Sequence, residues 1–176
     1  MADLHDPRVT LAAPMSGDAI ALEDIPDPVF SSGALGNGYG VNPSSNQVVA
    51  PISGTITMIA GTKHAFGFKS DSGLEVLLHL GVDTVELEGK PFEVNVAVGD
   101  QVEAGQQLAT MDLKLVKAAG KGTTAITVIT NTNTHLAALT VNAGTVAAGE
   151  PAAVATLKGE AVAGAYATAA TQAAAS

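Results

Sequence analysis

Cysteine is absent from all 176 residues, which removes disulfides, thiolate nucleophiles and cysteine zinc sites together. Positive charge is scarce: 8 Lys and Arg stand against 17 Asp and Glu, for a net charge of −9. Arg8 and the seven scattered lysines form no basic stripe, and so acidic a chain is repelled by phosphate backbones, which excludes nucleic-acid binding. No uninterrupted apolar run approaches the ~20 residues that span a bilayer. Met1–Val9 has neither a charged leader nor an apolar stretch, so it does not read as a signal peptide. Met1–Arg8 is also too short and acidic for a membrane-seeking amphipathic helix. A cytoplasmic domain is expected, with its chemistry resting on histidines, carboxylates or hydroxyls.

What is present points to strands. Alanine supplies 32 residues, so the 47% hydrophobic content overstates the core-forming side chains, though the remainder suffices for one core at this length. The 19 glycines and 8 prolines arrive at short intervals, and runs rich in Val, Ile, Thr and Leu lie between them. Among these runs are Gln47–Val49, Thr55–Ile59, Leu74–Leu80, Phe92–Val96 and Ala125–Ile129. The spacing predicts an all-β fold, an antiparallel sandwich or partly closed barrel, with helix limited to short turns near Asp112–Ala119 and Thr132–Ala137. Two echoes suggest internal duplication. Ala13-Pro14-Met15-Ser16-Gly17 returns as Ala50-Pro51-Ile52-Ser53-Gly54, 37 residues on, and Val102–Gln106 returns as Val146–Glu150. The expected organisation is a domain over 9–158, a flexible segment over 1–8 and an Ala-rich flexible tail over 159–176.

Of four histidines, His5 lies in the loose N-terminus and His135 follows a polar run at a loop or helix start; neither calls for chemistry. His64 and His79 flank the turn formers Ser70-Asp71-Ser72-Gly73. With Asp71-Ser72 as a two-residue loop, Ser70 pairs with Gly73 and the two histidines fall directly opposite one another. That register puts His64, Phe66, Phe68, Leu77 and His79 on one face. Ala65, Gly67, Leu74, Val76, Leu78 and Leu80 take the other, as core. A bulge at Gly73 would shift the register by one.

Two adjacent imidazoles admit three readings. They can be core residues satisfied by carbonyls. One neutral ring can attack phosphorus and carry the group as a labile N–P adduct while its neighbour donates to the phosphoryl oxygens. Or the pair can hold Zn²⁺ with Asp83, four residues after His79, completing the site.

From Val9 to Lys158 the chain resembles the glucose-type enzyme IIA phosphocarriers of the bacterial phosphoenolpyruvate-dependent sugar phosphotransferase system. The likeness rests on Ala13–Gly17, Asp24-Ile25-Pro26-Asp27-Pro28-Val29-Phe30, Gly36–Val41 and Val49–Gly54. It continues through Thr62-Lys63-His64-Ala65-Phe66, Ser70–Gly73, His79-Leu80-Gly81-Val82-Asp83-Thr84-Val85-Glu86-Leu87 and Gly99–Val102.

The resemblance implies a β-sandwich with barrel-like closure and no required cofactor. It implies His79 as phosphoryl acceptor, His64 as supporting imidazole, Thr62 as the hydroxyl that orients a histidine, and Asp83 as an acidic residue at the edge of the site. The implied partners are the small carrier HPr and a sugar-permease IIB domain whose cysteine receives the group. Exposed Val29, Phe30, Leu77 and Val85 would form the docking patch, with the acidic charge mainly speeding encounter. Lys63 departs from the uncharged polar residue frequent in the family and is expected to face solvent.

Other readings stand beside this one. A zinc metallopeptidase-like protein would use His64, His79 and Asp83, but the chain contains no His-x-His pair and needs a third ligand and a general base. A biotinyl- or lipoyl-type arm is suggested by Val98–Leu108, with Lys114 as the attachment point, although Met111-Asp112-Leu113-Lys114 is not a tight Met-Lys turn. Family members also regulate permeases and enzymes according to phosphorylation state.

Overall fold

The computed structural model describes residues 8–158. The expected flexible tail 159–176 and residues 1–7 lie outside these; Arg8, placed with the flexible segment by the sequence, instead opens the first strand. The strands are β1 (Arg8–Ala12), β2 (Gly17–Ala21), β3 (Asn37–Pro43), β4 (Gln47–Val49), β5 (Gly54–Ile59), β6 (Ala65–Lys69) and β7 (Glu75–Val82). They continue with β8 (Phe92–Val94), β9 (Gln101–Val102), β10 (Gln107–Met111), β11 (Gly122–Ile129), β12 (Leu136–Val141), β13 (Gly144–Val146) and β14 (Pro151–Leu157). Three short helices interrupt them: α1 (Pro28–Ser31), α2 (Leu113–Ala118) and α3 (Thr132–His135), the last two within the regions expected from sequence.

All pairings among these strands are antiparallel. One sheet runs β13-β2-β3-β11-β7-β6-β5-β9, and two three-stranded sheets run β1-β14-β12 and β4-β10-β8. None of them closes on itself, so the sandwich expectation holds while the barrel closure does not. Three open sheets instead wrap one core, in which Tyr39, Phe66, Phe68, Leu78, Leu108 and Met111 are fully buried. The Tyr39 hydroxyl donates to the Ala12 carbonyl at 2.6 Å, satisfying the one polar atom so large a core residue brings.

The two sequence echoes are one structural unit used twice. Gly17 pairs with Val146 as Gly54 pairs with Val102. Leu11 lies opposite Ala153 as Val48 lies opposite Ala109, and in each pairing a bulge follows at the same step. Ala12 N–H donates to Pro51 O at 2.7 Å and Val49 N–H to Pro14 O at 2.8 Å, a reciprocal exchange between the copies. Gly149 N–H reaches Ala13 O at 2.9 Å as Gly105 N–H reaches Ala50 O at 2.8 Å. Ser16 Oγ accepts from Ala148 N–H and Ser53 Oγ from Ala104 N–H, at 2.9 and 2.8 Å. The repeated Ser-Gly has a steric cause at its second residue. A Cβ on Gly17 would lie 2.0 Å from Asn42 O, and one on Gly54 would lie 2.3 Å from Lys69 O. The relation is a pseudo-two-fold passing between β7 and β11, the central strands of the large sheet.

A second, smaller cluster covers part of the outer face of that sheet. Ile25 and Phe30, from the connection 22–36, pack on Ile126 and Val128 of β11, with Leu22, Leu77 and Val82 at the margin. The connection holds its form because Asp27 caps α1, accepting from Val29 N–H at 3.0 Å with Pro28 at the first helical position. The histidines stand at the edge of this cluster.

Candidate functional site

The hairpin that carries the site has a register one residue away from the expected one. Ser70 N–H donates to Leu74 O and Gly73 N–H to Ser70 O, both at 3.0 Å, so the loop is Asp71-Ser72-Gly73 with Gly73 left-handed at φ 93°. This is the three-residue loop in which a type I turn is followed by a left-handed glycine. Ala65, not His64, therefore pairs with His79, and Phe66 pairs with Leu78. A one-residue slip exchanges the faces of a whole strand. Phe66 and Phe68 accordingly go to the core, while Ala65, Gly67, Leu77 and His79 share the outer face.

The imidazoles meet nonetheless. β6 begins only at Ala65, and His64 belongs to the turn before it, closed by Lys63 N–H to Ala60 O at 2.8 Å and Ala60 N–H to Ala65 O at 2.9 Å. Lys63 is left-handed there (φ 62°), so His64 is released from strand alternation and its ring swings to the outer face. The His64 and His79 centroids are 5.0 Å apart and nearly perpendicular, at 78°. Leu80 N–H donates to His64 O at 2.7 Å and ties the turn to β7.

Each ring is held by its Nδ1. Thr62 Oγ1 lies 2.6 Å from His64 Nδ1, the contact expected of Thr62. His79 Nδ1 lies 2.8 Å from Gly81 O. A carbonyl only accepts, so Nδ1 of His79 carries the proton and Nε2 keeps its lone pair when the ring is neutral. Among the described residues the hydrogen bonds engage neither Nε2. Burial lowers the pKa of His79 below the ordinary value, opposed first by the Gly81 hydrogen bond and then by the carboxylates of Asp27 and Asp83. His64 is lowered by burial and by the neighbouring His79. Both rings are therefore held toward the neutral form at pH 7.

Asp83 lies in a left-handed turn (φ 62°) between β7 and the 3-10 turn Thr84–Leu87, close enough for its charge to act on His79. The expected docking residues divide. Val29 and Val85 are exposed, at 53% and 49%. Phe30 is not a surface residue: it is buried, with its ring centroid 5.0 Å from His79 at a 54° tilt, so it walls the His79 ring. Leu77 is half-buried against the outer cluster.

Two contributors were missed from sequence. Asp27 acts on His79 electrostatically while capping α1, and Asp-Pro ahead of an apolar pair was a readable helix-start signal. Gly81 supplies the carbonyl that fixes the ring, and a glycine two residues after a strand histidine carried no such signal.

No group of three or more His, Asp or Glu side chains converges to hold a metal among the described residues, so the zinc reading lacks a complete ligand set. Lys114 lies in α2 and not at a hairpin tip, which removes the swinging-arm reading.

Residues 9–135 match the family described as phosphoenolpyruvate-dependent sugar phosphotransferase system, EIIA 1. The chain belongs to this family. Among similar EIIA proteins, the glucose-specific EIIA component of Staphylococcus aureus is 43% identical over 125 residues, 71% of this chain and 75% of that one. The glucose-specific EIICBA component of Streptococcus pneumoniae is 50% identical over 115 residues, 65% of this chain but only 16% of that much longer protein. The solved glucose permease IIA from Mycoplasma capricolum superposes with a TM-score of 0.75 at 38% identity, covering 84% of this chain and 95% of that one. As an EIIA chain it is a component of the sugar phosphotransferase system. Among the described residues no helix is long and apolar enough to cross a membrane.

Proposed function

We propose that this chain is a cytoplasmic phosphoryl relay in which His79 takes the group from phospho-HPr and passes it to a cysteine of a IIB domain, driving sugar uptake and phosphorylation. The observation that carries the reading is the pair of rings 5.0 Å apart, each held by its Nδ1 with Nε2 left unengaged.

The lone pair of His79 Nε2 attacks phosphorus in line as the P–N bond of the donor phosphohistidine breaks, and the electron pair of that bond stays on the donor ring. The new adduct has both ring nitrogens substituted and a positive ring, which the Gly81 carbonyl dipole and the Asp27 and Asp83 carboxylates stabilise. With Thr62 donating to Nδ1, His64 carries its proton on Nε2 and offers it to a phosphoryl oxygen. Onward transfer runs the same step in reverse, with a thiolate as the nucleophile. Val29 and Val85 form the exposed apolar contact for both partners, over the surface walled by Phe30 and Leu77.

The test uses labelled phosphoenolpyruvate with the general phosphotransferase proteins. The unmodified chain is labelled and His79→Ala is not; normal labelling of His79→Ala overturns the assignment.

A further inference from the structure

The bond that fixes His79 depends on the conformation of one glycine, and a buried threonine three residues later holds that glycine from two sides. Gly81 is left-handed (φ 84°), and in this conformation its carbonyl reaches His79 Nδ1. Thr84 is fully buried at the start of the 3-10 turn. Its Oγ1 donates to Leu80 O at 2.5 Å, anchoring the peptide plane that leads into Gly81. Its Cγ2 packs on Gly81 so closely that a Cβ added there would lie 2.4 Å from it, with Gly122 O at 2.7 Å behind. The same Leu80 donates its N–H to His64 O. One residue of β7 thus joins the supporting turn, the acceptor strand and the Thr84 hydroxyl.

We infer that Thr84 is a positioning residue that sets the tautomer of His79, and thereby which ring nitrogen carries the phosphoryl group. The physical reason is that an imidazole left without a fixed acceptor populates both tautomers, and the Nδ1 lone pair then competes with the Nε2 lone pair. The Thr84 hydroxyl keeps Gly81 O aimed at Nδ1, while its methyl only fills the space against Gly81; this commits the proton to Nδ1 and the nucleophile to Nε2. The role is exerted through Gly81, and its consequence for phosphoryl transfer rests on the relay proposed above.

Thr84→Val retains the shape of the side chain but removes the donor; Thr84→Ser keeps the donor and removes the methyl. Nitrogen-15 NMR of the His79 ring reads the tautomer without any phosphoryl donor, and phosphorus-31 NMR of the labelled protein reads the nitrogen that bears the group. The unmodified chain and Thr84→Ser show the Nδ1–H tautomer alone. Thr84→Val shows both tautomers, and its rate of acceptance falls roughly tenfold, in line with the loss of an outer-shell orienting group. If Thr84→Val does not fold, Thr84→Ala against Thr84→Ser makes the same comparison. A single Nδ1–H tautomer in Thr84→Val or Thr84→Ala, whatever the change in melting temperature, overturns the inference. An unmodified chain that accepts no phosphate overturns the relay and leaves the tautomer comparison to be read by itself.

Discussion

The connections 22–36 and 60–64 occupy equivalent places in the two halves of the molecule, joining β2 to β3 and β5 to β6, yet one seals the sheet and the other leaves it open. Carried through the ladders, the pseudo-two-fold sends His79 on β7 to Val128 on β11, and Leu77 to Ile126. Over β11 the long connection lays down Ile25 and Phe30, and Ile126 and Val128 are fully buried beneath them. Over β7 the short connection supplies only a tight turn bearing Thr62 and His64, and His79 stays partly open. The site lies where the duplication is broken. The repeat supplies a rigid, pairwise-satisfied frame, and the shorter of two unequal loops leaves an imidazole within reach of another protein.

The comparison is broken most completely by making the two halves alike at this position. His79→Val gives β7 the side chain of its counterpart, and phosphoryl acceptance should fall by at least about a thousandfold, because the proposed covalent acceptor is gone. Its melting temperature should hold or rise, since a half-buried polar ring is replaced by an apolar side chain; radiolabelling and calorimetry read the two effects. Next, His64→Gln removes what the short connection contributes. Acceptance persists while onward transfer to the IIB domain slows roughly a hundredfold, as expected for loss of one positioned proton donor. Rapid-quench transfer assays separate the steps, and an onward rate equal to that of the unmodified chain would contradict the donor role of His64.

The reciprocal change, Val128→His, places an imidazole under the long connection among Ile25, Phe30 and Ile126. It should take no phosphate and should destabilise the fold by about 2 kcal/mol in urea unfolding, because the ring is buried with no polar partner. Labelling at residue 128 would show that the covering loop is not what separates the halves.

The smallest effect is electrostatic. Burial holds the pKa of His79 below its ordinary 6.5, so the folded chain binds fewer protons than the unfolded chain at mildly acid pH. Stability from the neutral ring is full above about 6.5 and declines as pH falls through the folded value, and acceptance should persist below 6.5 in the same way. Asp27→Asn removes a carboxylate that raises this pKa, so proton NMR should find His79 titrating at a lower pH still; an upward shift would contradict the field assigned to Asp27.

How far the site could be read without coordinates differs from residue to residue. That His64 and His79 lie near each other followed from turn formers between two apolar runs. The proposed register was one residue off, because whether Gly73 is a strand residue or a left-handed loop residue depends on φ, and letters do not carry φ. The slip moved Phe66 and Phe68 into the core, and only the turn at Ala60–Ala65 returned His64 to the outer face. Phe30 was assigned to the docking patch through the family resemblance, and only the packing of the connection 22–36 on β11 shows it buried. Asp27 was quoted as part of a motif without a role, since its effect on His79 passes through space between segments some fifty residues apart.

The sequence by itself determined the strand-and-turn grammar, the duplication and the identity of the two imidazoles. Each of these is local, set by which side chains recur at which spacing, so the chain need not be folded to display it. Tertiary structure alone decided the register of the hairpin, the tautomer of His79 and which half stays uncovered. These depend on backbone dihedrals at Lys63, Gly73 and Gly81 and on a loop arriving from the other half, which only packing brings together.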